Sequence, residues 1–309
     1  MNYHDCCTHY HITKLPNHQI ILMKGWLKKY SLLLPLVVWL FVFLLLPYCF
    51  IFIQSFLETD SFGKTIPGVS IDSYQRAFSN SLYIGTIFRT LLYAVLVAIL
   101  CILLSLPLAY WIAFKVKRNK TLLYTLISLP LWVSYIIRAY AWKIILGKEG
   151  LLNTFLQWAH ITDKPVEYFL YSTFSTIVCL VYILTPFVAI PVYTAFEQIP
   201  KSLIEAAKDL GAGSFTTFRK VIFPLALPGI ISGGTFALVL TMGDFLSPLL
   251  LGGPNTLFIS NIVQNLFGTS NDRPLGSAVG ILILLLIFLI LGIAARSEKK
   301  FSSLKSDAR

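Results

Sequence analysis

Apolar residues follow one another along this chain in long unbroken stretches, without strict alternation. A helix needs about 20 such residues to cross a hydrocarbon core of about 30 Å. Six stretches meet that length, at residues 31–56, 89–114, 121–146, 172–195, 222–250 and 275–295. Inside a bilayer every backbone polar group must be paired within the protein, so a span is either a helix or a strand of a closed barrel. Barrel strands alternate polar and apolar side chains, and these stretches do not. The pattern predicts an all-α membrane protein with six transmembrane helices.

The polar positions between the stretches set a direction. Lys and Arg flanking a span are retained on the cytoplasmic side during insertion. With the N-terminus inside, 17 basic residues fall in the cytoplasm, including Lys115, Lys117, Arg118 and Lys120, then Lys201, Lys208, Arg219 and Lys220. Only 6 fall outside, namely Lys64, Arg76, Arg89, Lys148, Lys164 and Arg273. Both termini are therefore expected to be cytoplasmic. Composition agrees with membrane insertion: 56% of residues are hydrophobic, 13% are charged and the mean hydropathy is +0.74. A soluble domain carries about 25% charged residues. The formal net charge of +11 would suggest nucleic acid in a soluble chain, whereas here it reads as the inside-positive bias of a polytopic one. No nucleic-acid partner is implied.

The N-terminal region holds His4, His9, His11 and His18 with Cys6 and Cys7. Their irregular spacing does not match a metal site, so none is expected. Met23, followed by Lys24, Gly25 and Trp26, reads as a natural start, which makes residues 1–22 a poorly structured extension and 23–309 the membrane domain. The long Leu-rich first span lacks a small-x-small cleavage site and reads as a retained anchor. Cys49, Cys101 and Cys179 sit within apolar runs and read as small buried hydrophobes rather than disulfide partners.

A polytopic chain can be a transport subunit, a membrane enzyme or a channel. An enzyme would carry paired carboxylates, clustered histidines or a nucleophile with its base at membrane depth. The sequence offers none, and His160 falls in a loop. A channel filter or ring of charge is not evident. Gly63, Lys64 and Thr65 imitate the end of a phosphate-binding loop, but the motif's leading glycine would fall on Glu58 and the segment runs into Ile66 and Pro67 instead of a helix. An ATP-driven process would need its nucleotide site on another chain.

Residues 197–223 are the most informative connection, being polar, amphipathic and too long for a turn between antiparallel spans. Leu203, Ala206, Ala207 and Leu210 recur at helical spacing after Pro200, and Gly211 and Gly213 end that helix. Ala206 and Ala207 allow close approach of another protein, while Glu205, Lys208 and Asp209 can fix its register by charge. A helix lying on lipid headgroups fits the same spacing.

Glu205, Ala206 and Ala207, then Gly211, and then Val221, Phe223 and Pro224 resemble the EAA loop of permease subunits in bacterial ABC importers. Val221 and Phe223 stand where Ile and Leu are usual. The resemblance implies a type I importer permease fold in the bacterial cytoplasmic (inner) membrane, with both termini cytoplasmic. In that family the loop folds as a coupling helix seated on a separate ATPase. Glu205, Ala206, Ala207, Asp209, Gly211 and Pro224 become the expected ATPase-coupling residues. The implied partners are a second permease completing a heterodimer, two ATPase subunits that bind ATP and Mg, and an extracytoplasmic solute-binding protein. No cofactor is expected in this chain, and no catalysis.

Met242–Gly243–Asp244–Phe245–Leu246–Ser247–Pro248, Leu251–Gly252–Gly253–Pro254 and Asn271–Asp272–Arg273–Pro274 are similar to segments of spermidine/putrescine importer permeases. This implies a polyamine cargo. Relatives carry thiamine, iron chelates and other organic ions, and those remain alternatives, as more remotely does a polytopic enzyme acting through Asp244.

An ionised group inside hydrocarbon is costly unless it faces water or a partner, so intramembrane charges are functional candidates. Arg138, Lys143 and Asp244 qualify. At about 1.5 Å per residue, Arg138 and Asp244 reach similar depth. Either they form a structural ion pair, or Asp244 offers a counter-charge to a cationic cargo. Trp132, Tyr135, Trp142 and Tyr182 could add aromatic faces for ammonium groups, or serve packing and the interface belt. Pro107, Pro130, Pro186, Pro191 and Pro228 interrupt the spans, and Gly229, Gly233 and Gly234 permit close helix contact.

Overall fold

The computed structural model describes residues 33–59 and 65–306. The proposed extension 1–22, with its histidines, Cys6 and Cys7, lies outside the described residues, as do Gly63 and Lys64. The chain divides into residues 1–53 and 54–309.

Helix α1 runs Leu34–Gln54 and makes up the described part of the first unit, with Gln54 itself counted in the second. Its middle, Phe41–Leu45, is a π turn closed by the Leu46 N–H on the Phe41 carbonyl. Pro47 accounts for it. A proline ring crowds the carbonyl four residues earlier and supplies no N–H, and one widened turn makes room for it. Cys49 on this helix is exposed, contrary to expectation, whereas Cys101 and Cys179 are buried as expected.

The second unit opens with an antiparallel hairpin of β1 (Leu57–Thr59) and β2 (Thr65–Val69), in which Glu58 faces Ile66. This hairpin is an exception to the all-α expectation. Helices α2 (Asp72–Ser79) and α3 (Ser81–Tyr110) follow, and α3 is prolonged by a π turn at Trp111–Lys115. Helix α3 starts earlier than the apolar stretch predicts because the Asn80 side chain caps it, accepting the Leu82 N–H at 3.0 Å. Next come α4 (Lys120–Ser128), a 3-10 turn at Leu129–Trp132, α5 (Tyr135–Ile145) and α6 (Leu151–Trp158).

The third predicted span, 121–146, is not one straight helix. α4 and α5 meet at 89°. Pro130 cannot donate into a helical ladder, and Ser134 adopts extended backbone (ψ 137°) before α5 begins. Among the described residues five helices are long and apolar enough to cross a membrane, or six when this bent pair counts as one.

α7 (Thr173–Glu197) starts at a reciprocal cap between Ser172 and Ser175. After α8 (Lys201–Asp209), α9 (Ser214–Thr217) passes through a second proline-relieving π turn, Phe218–Ile222 before Pro224, into α10 (Phe223–Gly243). Together α9 and α10 form one 30-residue helix, Ser214–Gly243. The fifth stretch therefore begins earlier than 222 and stops at Gly243, because Asp244 leaves helical backbone (ψ 125°). The connection 197–223 is correspondingly shorter than the sequence suggests. α11 (Leu246–Leu251), α12 (Ile259–Phe267) and α13 (Arg273–Ser306) complete the chain.

α3, α7 and α10 pack on one another around a core that includes Val97, Cys101, Ile183, Val188, Phe196 and Ile230. Small residues set the separation, as expected where lipid gives helices no hydrophobic drive to associate. A β-carbon on Gly229 would lie 2.5 Å from Ala195 Cβ and 2.7 Å from the Pro191 carbonyl oxygen. A smaller cluster of Ala77, Ile259, Leu266, Leu275 and Val279 joins α2, α12 and α13.

Candidate functional site

α8 is the element the sequence singles out. Its end is a complete Schellman motif. Gly211 takes φ +80°, its N–H bonds the Lys208 carbonyl at 2.8 Å, and the Ala212 N–H bonds the Ala207 carbonyl at 3.0 Å. The predicted apolar stripe splits between two sides. Leu203, Ile204 and Ala207 are half-buried, with Ile204 against the core, while Glu205, Ala206 and Asp209 are exposed. Leu210 is 89% exposed and Phe215, just past the turn, is 75% exposed. An apolar pair left this bare beside exposed charges suits a protein surface better than a closed fold.

Behind α8 stands an aromatic cluster that sequence reasoning missed. Tyr110 meets Phe218 edge-on at 5.6 Å and Phe196 at 6.4 Å, and Phe114 lies 5.7 Å from Phe196. Phe196 is fully buried. These rings join the ends of α3 and α7 to the π turn between α9 and α10. Pro224 opens α10 directly after that turn. Aromatic residues near three span ends were the available signal, but periodicity does not say that they converge. Lys120 reinforces the same end, its Nζ reaching Glu197 Oε1 at 2.5 Å and the Ala113 carbonyl at 2.6 Å.

Far along α10 the helix breaks at Asp244. The carboxylate accepts the Leu246 N–H at 3.1 Å and the Ser247 N–H at 3.2 Å, capping α11. The break is fixed from behind, where Ser260 Oγ donates to the Asp244 carbonyl and Asn261 Nδ2 donates to the Phe245 carbonyl. Tyr135 shares a 2.8 Å hydrogen bond with Ser247, whose N–H bonds Asp244. Asp244, Tyr135 and Arg138 line one cavity of about 410 Å³ together with Ile183, Leu240 and Phe245.

The predicted residues are thus only partly assembled. Tyr135 stands beside Asp244. Tyr182 and Trp142 meet edge-on at 5.6 Å and line a separate apolar cavity of about 790 Å³. Trp132, in the turn at the elbow, is 84% exposed and lines neither. Of the two alternatives for Arg138 and Asp244, the ion pair is not formed among the described residues. Arg138 instead donates from Nη1 to the Ile183 carbonyl at 3.5 Å, and Asp244 turns to the N–H groups of α11, which claim its oxygens locally. Lys143 lies 6.0 Å from the Tyr140 ring centre and 5.7 Å from that of Tyr171. Among the described residues no cluster could hold a metal ion.

The chain is thus a helical multi-span bundle with an exposed, glycine-terminated helix between two of its long spans. The chain belongs to the family described as binding-protein-dependent transport system inner membrane component, which matches residues 105–303. It is an ABC importer permease. It is 36% identical over 261 residues to the spermidine/putrescine transport system permease protein PotB of Haemophilus influenzae, covering 84% of this chain and 91% of that one. To PotB of Escherichia coli K12 it is 34% identical over 270 residues, covering 87% and 97%. To the inner membrane ABC transporter permease protein YdcU of the same strain it is 36% identical over 257 residues, covering 79% and 81%. The fold is similar to a chain of a crystallised bacterial ABC transporter that imports the acidic polysaccharide alginate. That match has a TM-score of 0.70 at 23% identity and covers 92% of this chain and 99% of that one.

Proposed function

We propose that this permease imports polyamines across a bacterial inner membrane as one half of a heterodimer, driven by two ATPase subunits and supplied by an extracytoplasmic binding protein. The end that carries α8 is the cytoplasmic one in this reading. The observation that carries the coupling role is the surface of α8: Glu205, Ala206, Asp209 and Leu210 face outward, and the Gly211 turn leads directly into the helix that ends at Asp244. Closure of the ATPase pair would push on α8, and the rings around Phe196 would pass the displacement to α3, α7 and α10. The polyamine assignment is supported by the relatives named above and by the Asp244 carboxylate and the Tyr135 ring lining one cavity, a combination that suits an ammonium group. Asp244 and Tyr135 are the residues assigned to the pathway.

One observation favours a second reading. Arg138 puts a positive charge in the same cavity, which suits a solute bearing an anionic group. Uptake of labelled spermidine by proteoliposomes containing the whole transporter separates the two. Saturable, ATP-dependent uptake that Glu205→Lys abolishes supports the polyamine reading. Uptake of organic anions or zwitterions alone would replace it.

A further inference from the structure

Among the described residues no carboxylate forms an ion pair with Arg138. Its residue is 7% exposed, its Nε has no partner, and its described hydrogen bond is the long 3.5 Å contact to the Ile183 carbonyl. The nearest ring is Tyr135 on its own helix, with the guanidinium carbon 5.8 Å from the centre. The carboxylate in the same cavity is turned elsewhere, because Asp244 accepts from the backbone N–H groups of Leu246 and Ser247. Such a guanidinium cannot be left against hydrocarbon, where an unpaired charge is strongly disfavoured. Yet the cavity opens on an apolar face. Leu240 and Phe245, both exposed, line it, and exposed Phe236 lies one turn before Leu240 on α10. The apolar rim suits lipid as well as protein, and the buried guanidinium decides for protein, since lipid offers it no counter-charge.

We propose that this face docks the second permease, and that an aspartate or glutamate of that subunit enters the cavity and pairs with Arg138. The inference rests on the polyamine reading in one respect: a cationic cargo cannot itself supply the missing anion. It also gives the pair a purpose. With Arg138 neutralised across the interface, Asp244 is left as the charge a polyamine meets. Without the partner carboxylate, the guanidinium would repel the cargo from the site beside it.

The test uses the complete transporter with an affinity tag on the second permease. Arg138→Glu sets like charges against each other and should lower the amount of this chain that co-purifies at least tenfold. Arg138→Gln, which keeps the bulk without the charge, should lower it less. A selection for restored spermidine uptake in the Arg138→Glu strain should return acid-to-basic or acid-to-neutral changes in the second permease. Such rescue also shows that the variant chain folds. Should Arg138→Glu fail to accumulate in the membrane, Arg138→Gln gives the same readout. Suppressors confined to this chain, or an Arg138→Gln transporter that assembles at the wild-type level, would overturn the proposal. The cargo reading fails separately: a wild-type transporter that takes up no polyamine, yet loses its partner on Arg138→Glu, refutes the cargo and keeps the interface.

Discussion

Arg76 Nη1 lies 2.8 Å from Asp272 Oδ2, joining positions 196 residues apart. Asp272 is largely buried, its Oδ1 accepts the Leu275 N–H at the start of α13, and Thr59 of the hairpin donates to it at 3.4 Å. Asp72 holds Arg76 Nε at 2.8 Å. One carboxylate therefore ties the hairpin and α2 to the last helix. Asp272→Asn keeps the shape and removes the charge, and should cost on the order of 1–3 kcal/mol. The measurement is the thermal midpoint of the purified transporter in detergent. An unchanged midpoint would show that Arg76 is adequately held by Asp72 alone.

Gly211 tests the proposed coupling role of α8 through its backbone alone. A β-carbon there would meet nothing within 4 Å, so the penalty of Gly211→Ala is that of φ +80°, about 1 kcal/mol. Asn tolerates this region better. In proteoliposomes Gly211→Ala should lower cargo-stimulated ATP turnover severalfold, and Gly211→Asn should remain near the wild type. Equal loss in both would show that the glycine is needed for something other than its conformation.

Two glycines in spans predict opposite outcomes. Gly229 faces the Pro191 carbonyl and Ala195 at distances no β-carbon accepts, whereas Gly280 on α13 has open space around it. Gly229→Ala should force α10 away from α7 and destabilise by about 1–3 kcal/mol. Gly280→Ala should be neutral or stabilising by about 0.5–1 kcal/mol, because alanine loses less backbone entropy in a helix. Thermal midpoints of the two variants measured side by side decide the matter, and a lower value for Gly280→Ala would contradict the packing described here.

Lys148 and Glu167 form an exposed pair at 2.7 Å. The lysine's hydrogen bond, and then its charge, hold the Glu167 carboxyl below the usual carboxylate range, and the glutamate holds Lys148 above the usual amine range. The Glu167 contribution is present above its unfolded pKa of about 4.3 and is lost as pH falls through the lower folded value. The Lys148 contribution is present below about 10.4 and is lost as pH rises through the raised one. Both groups are solvated and screened by salt, so Glu167→Gln should leave the thermal midpoint unchanged between about pH 6 and 9 at physiological ionic strength. A drop of several degrees would reveal burial of this loop by a partner.

The spans and the helix α8 were legible in the sequence because each rests on local information: unbroken apolar length for α3, α7, α10 and α13, and the Glu205–Ala206–Ala207 then Gly211 spacing for α8. The elbow at Pro130 to Ser134 was hidden, since a proline and a serine inside an apolar run are also tolerated in straight spans. The hairpin was hidden because strands as short as β1 have no period to read. Arg138 and Asp244 were found as charges, but their partners could not be, because the capping of α11 by Asp244 depends on where α10 stops. The ring cluster at Tyr110, Phe196 and Phe218 depends on three helix ends meeting, which no single stretch encodes.

The unbroken course from Ser214 to Gly243 makes that element a lever about 45 Å long, at about 1.5 Å per residue. A tilt of only about 5° at the Ser214 end would swing the Asp244 end through about 4 Å, roughly the width of one methylene chain. In the coupling proposed above, a small stroke at the Ser214 end is thus magnified at the Asp244 end.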